Sequence, residues 1–87
     1  MSISFVIKEK MRESDAIVFV RGISSIVGSC YAFIKADSNG LNKIQNDLKE
    51  GGDIKFDQYG EILLRGTGEE PTEQELQYMI TEYDFQM

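Results

Sequence analysis

Fifteen carboxylates, one thiol and no histidine make up the chemical inventory of this 87-residue chain. A cysteine nucleophile needs a neighbouring base to form its thiolate, and the commonest one, imidazole, is missing. Cys30 sits in the apolar run Val27-Gly28-Ser29-Cys30-Tyr31-Ala32-Phe33-Ile34, which marks it as core filler. As the only cysteine it forms no intramolecular disulfide, so a reducing, cytoplasmic setting is expected. Asp37-Ser38-Asn39-Gly40 resembles the opening of a calcium loop, but its glycine comes too early and Leu48 holds the twelfth position, where such a loop needs an acid. Asp53, Asp57 and Glu61 surround a turn, a place that favours these residues without any cation. Gly66-Thr67-Gly68 lacks the Gly-Lys-Ser/Thr ending of a phosphate loop, and Glu69-Glu70 behind it would repel phosphate. The expectation is a non-enzymatic chain without metal or cofactor.

Charge is a better guide than motif. Residues 1–36 carry five basic and three acidic side chains, net +2, whereas residues 37–87 carry four and twelve, net −8. From Gly68 onward Glu69, Glu70, Glu73, Glu75, Glu82 and Asp84 occur with no Lys or Arg. Acids entering a helix are explained by its dipole. Glu82 and Asp84 lie near the opposite end of the same segment, where negative charge is unfavourable by a few tenths of a kcal/mol or more. On a helical projection Leu76, Met79, Ile80 and Tyr83 share an arc of roughly 100°, the expected core stripe. Tyr78 and Phe85 then fall on the opposite side, flanked by Glu75 and Glu82. Two aromatics edged by carboxylates have the make-up of a helix that enters a basic, apolar groove. Glu69, Glu70, Glu75, Tyr78, Glu82 and Phe85 are thus the expected partner-binding residues.

The elements that must position them follow from periodicity. Ile3, Phe5 and Ile7 alternate with polar residues as a first strand, and Ala16-Ile17-Val18-Phe19-Val20 reads as a central strand covered on both faces. Residues 23–36 also fit helical spacing, but their serines, β-branched residues, aromatics and Gly28 favour a third strand. Asp37 or Ser38 caps a helix to about Glu50, with Leu41, Ile44 and Leu48 on one stripe and Gly51-Gly52 as the stop. Residues 53–56 and 61–65 flank Asp57-Gln58-Tyr59-Gly60 as a hairpin. Thr72 and Glu75 form a capping box that opens a last helix from Glu73 to about Asp84. The predicted order is β-β-β-α-β-β-α: one α+β domain over residues 1–87, its antiparallel sheet of about five strands carrying both helices on one face.

A domain of this size buries roughly 60–65% of its unfolded surface, which leaves little for a deep pocket. No run approaches the 18 apolar residues that cross a bilayer, and the N-terminus has no signal-peptide pattern, so no membrane partner is expected. A net charge of −6 opposes direct nucleic-acid binding. Carboxylates on a rigid helix can instead occupy a basic channel meant for phosphates. The expected function is a small protein-binding module, an inhibitor or immunity-type protein of the kind phages and mobile elements direct against host defence, docking its acidic last helix on a basic partner such as a nucleic-acid-handling enzyme. The alternative is an assembly subunit that pairs with a copy of itself through a sheet edge, with Ile3, Phe5 and Ile7 of the first strand as the candidate edge. Monomer and homodimer are both compatible with the sequence.

Overall fold

The structure, a computed structural model, describes residues 5–52 and 54–86. Four strands, β1 (Phe5–Ser14), β2 (Ile17–Ser24), β3 (Gly28–Lys35) and β4 (Glu61–Thr67), pair in chain order as one antiparallel sheet. Helix α1 (Ser38–Glu50) links β3 to β4 and α2 (Glu73–Tyr83) follows β4. The α+β class is as expected, with four strands in place of five.

Both helices begin and end where local chemistry places them. The Asp37 carboxylate accepts from the Gly40 amide at 2.8 Å, and Gly51, in the left-handed region, closes α1. At α2 the reciprocal capping bonds are present: Glu75 N to Thr72 Oγ1 at 3.1 Å and Thr72 N to Glu75 Oε1 at 2.9 Å.

The two helices lie on opposite faces of the sheet, which corrects the expectation that they share one. Val18, Val20, Cys30, Ala32 and Ile34 pack with Ile44 of α1, whereas Ile17, Phe19, Tyr31 and Phe33 pack with Met79 of α2 and with Phe85. The cause lies in β2 and β3, whose apolar residues are continuous and not alternating. Each strand presents apolar side chains both ways, and each face needs its own cover.

The expected hairpin over 53–65 is the second correction. Asp53 lies outside the described residues. The Ile54 carbonyl accepts from the Ile7 amide at 2.6 Å and Lys55 bridges Val6, so this segment touches the outer edge of β1, on the far side of the sheet from β4. A 3₁₀ turn over Phe56–Gln58 follows. Phe56 and Tyr59 are both buried with the α1-side core, and that burial outweighs the local hairpin signal.

Two boundaries also differ. Residues 23–36 are not one strand: Ile23 and Ser24 finish β2, a turn follows, and Gly28 starts β3 with a φ of +76°, which suits a residue without Cβ. β1 runs on through the charged residues 8–13 with bulges at Ile7/Glu9 and Lys10/Arg12. Charge and bulges are devices that discourage pairing at an edge, so β1 is a poor site for the self-pairing expected of the first strand. Ile3 lies outside the described residues. β4 forms the other edge of the sheet, with Ile62, Leu63 and Leu64 half-buried along it.

Candidate functional site

The expected partner-binding residues divide into those the fold consumes and those it leaves on the surface. Phe85 belongs to the first group, which corrects its assignment to an exposed stripe. It is 2% exposed and meets Phe33 edge-on, with ring centroids 5.1 Å apart. The reason is local: Asp84 adopts a left-handed conformation at φ 54°, the helix stops, and a projection at 100° per residue no longer applies. Gln86 N then bonds the buried Ser14 Oγ at 2.9 Å, which fastens the tail to the end of β1.

Glu75 is also committed. Its Oε1 accepts the Tyr31 hydroxyl at 2.5 Å in addition to the Thr72 amide. These two donors hold its carboxyl below the ordinary range, the Tyr31 bond first, while burial and then the Glu75 bond push the Tyr31 phenol up to about 12. Tyr31 reaches α2 by lying over Gly66; a Cβ at that position would overlap its ring and hydroxyl. Glu70 pairs with Arg21, whose Nε also donates to the Glu69 carbonyl at 2.7 Å, so Arg21 clamps the chain entering α2.

A matching arrangement exists on the other face. The Tyr59 hydroxyl donates to Asp47 of α1 at 2.8 Å, and this bond holds the Asp47 carboxyl below its ordinary range. Each helix thus anchors a carboxylate on a buried tyrosine. Both acids stay ionised at neutral pH, so neither is poised as a proton donor. Burial pushes the Cys30 thiol up, against a smaller opposing effect of Arg65, which takes it further from a nucleophile. Among the described residues no three Cys, Asp or Glu side chains cluster closely enough to hold a metal ion, and no helix is long and apolar enough to cross a membrane.

The surface group is Glu69, Tyr78 and Glu82. Tyr78 is 45% exposed and packs edge-on against Tyr83, with centroids 6.0 Å apart. The Tyr83 phenol is held up by the Tyr78 hydroxyl first, then by partial burial and by the negative charge of Glu61 and Glu82. Tyr78, Tyr83 and Glu82 therefore share one flank of α2, and the negative charge of Glu61 reaches Tyr83 from β4. Glu61 comes from the start of β4, and no local sequence signal could have joined it to this group. Ile80, expected in the core, is 37% exposed, because Met79, Tyr83 and the returning Phe85 centre the inward side of α2 away from it.

The opposite side of α2 borders a cleft of about 200 Å³ between the helix and β1. Further exposed apolar residues, Ile23, Ile26 and Val27, gather at the β2–β3 turn, where Ser24 Oγ accepts the amides of Ile26 and Val27.

No protein-family model matches the chain, and neither the curated proteins nor the solved structures give a significant match.

Proposed function

We propose that this chain is a small non-enzymatic protein-binding module of inhibitor or immunity type. In this reading it presents the Tyr78 flank of α2 to a basic protein partner, such as a nucleic-acid-handling enzyme. The observation that carries it is the grouping of the exposed Tyr78 ring with Tyr83, Glu61 and Glu82, in a chain whose last basic residue is Arg65. A tyrosine pair offers ring area at little cost in conformational freedom. The surrounding carboxylates steer association toward positive charge and disfavour acidic partners.

The docking surface in this reading comprises Glu69, Tyr78 and Glu82 with Tyr83 and Glu61. Glu70 and Glu75 contribute charge behind it while holding the fold, and Phe85 supports it from the core. The test is capture from native lysate at low and at high salt with wild type beside Tyr78→Ala/Glu82→Lys, the fold of the variant being checked by circular dichroism. A basic protein kept by wild type at low salt and lost from the folded variant is the expected result. Equal retention by both proteins, or retention of no basic protein, overturns the proposal.

A further inference from the structure

The cleft between β1 and α2 has a floor made by Phe19, Phe33 and Phe85, and Leu76 forms its helical wall. Its lip is built by an irregularity. Met11 and Arg12 are consecutive residues, yet both line the cleft, whereas neighbours in a regular strand point to opposite faces. The bulge between Lys10 and Arg12 makes this possible, and re-aiming a side chain is what bulges do beside binding sites.

Two guanidinium groups border this apolar floor, and they differ. Arg21 is occupied by Glu70 and by the Glu69 carbonyl. Arg12 is exposed and, among the described residues, has no carboxylate within salt-bridge distance. An aromatic floor under one free guanidinium is complementary to a flat apolar body carrying one negative charge, because a guanidinium fork matches a carboxylate with two parallel hydrogen bonds. The volume sets the size: 200 Å³ is below the roughly 300–1,000 Å³ of sites for drug-sized ligands, so it admits a ligand of one or two rings.

We propose that this cleft binds a small aromatic carboxylate, its rings held between Met11 and Leu76 over the exposed edge of Phe19, and its carboxylate on Arg12. The site lies across α2 from the Tyr78 flank and is independent of it.

The experiment is an NMR titration of the ¹⁵N-labelled full chain with 2-naphthoate, beside the uncharged 2-naphthamide. For a ligand of this size the expected dissociation constant is about 0.1–1 mM, with shifts centred on Met11, Phe19, Leu76 and Phe85. The amide should bind at least about fivefold more weakly, and Arg12→Gln should reduce naphthoate to the level of the amide. Absence of saturable shifts up to about 5 mM, well above the expected constant, overturns the proposal. So do shifts centred elsewhere, or equal binding of acid and amide to wild type. Should Arg12→Gln lose its fold, the comparison of acid with amide on wild type still decides.

Discussion

Removing the Tyr31 hydroxyl tests the link between α2 and the sheet. In Tyr31→Phe the buried ring stays, so packing is nearly unchanged and the bond to Glu75 Oε1 is lost. A hydrogen bond to a charged group contributes about 1.5–3 kcal/mol. Glu75 keeps the Thr72 amide and is only half-buried, so its carboxylate is not stranded and the low end applies: about 1–2 kcal/mol at pH 7. In a domain of this size that corresponds to a fall in melting temperature of about 5–15 °C.

The pH dependence makes the prediction specific. The folded pKa of Glu75 is lowered from its ordinary 4.5, so the stabilisation is present above that value and is lost as pH falls through the lower folded one. The folded pKa of Tyr31 is raised from 10.0 to about 12, so the stabilisation is complete below 10 and is lost as pH rises through about 12. The difference in stability between wild type and Tyr31→Phe, measured by urea unfolding, should form a plateau between about pH 5 and 9 and shrink at both ends. A double-mutant cycle with Glu75→Gln isolates the pair from other titrating groups. Equal stabilities at pH 7, or a difference that stays constant down to pH 3, would refute the reasoning.

Two other substitutions separate folding from surface. Phe85→Ala should cost about 3–5 kcal/mol because it empties a buried ring site against Phe33, while Tyr78→Ala should cost about 0.5 kcal/mol or less at its exposed position; similar losses in thermal unfolding would show that the two rings are misassigned. Gly66→Ala should cost about 1–3 kcal/mol, since its Cβ displaces Tyr31, and much of that cost should disappear in a Tyr31→Ala background, as a coupled pair in the same unfolding assay.

What could be read from the sequence is what local chemistry determines. Thr72 and Glu75 announce the start of α2, Asp37 that of α1, and the apolar run at Ile17–Val20 marks a central strand. That run also required cover on two faces, so opposite placement of the helices was implicit in it. The remainder depends on partners distant in sequence. Whether residues 54–59 form a hairpin or cross to β1 is decided by where Phe56 and Tyr59 find burial. Residues 8–13 carry no apolar alternation to mark them as strand, because an edge strand needs little apolar surface. The capping role of Glu75 was legible, but its second donor, Tyr31, comes from another element 44 positions away. The Tyr78–Tyr83–Glu61 grouping and the lip formed by Met11 and Arg12 are likewise products of tertiary placement and of a bulge, for which the chain carries no local sign.

The asymmetry between the two faces accounts for the cleft. Four strands spaced about 4.8 Å apart make a face some 15–19 Å wide, and one helix is about 10 Å across. A single helix therefore leaves a strip of sheet uncovered. On the α1 face Ile54, Phe56 and Tyr59 fill that strip. On the α2 face Phe85 covers Phe33, and the remaining space over Phe19 is bounded by Met11 and Arg12. The segment that cost the sheet its expected fifth strand thus completes one core, while among the described residues an apolar hollow stays open in the other, beside the guanidinium of Arg12. A substitution that fills the hollow, Met11→Phe, should leave the chain folded and abolish naphthoate binding, read by thermal unfolding and by the NMR titration on the same variant; a folded variant that binds naphthoate as tightly as wild type contradicts a site at this position.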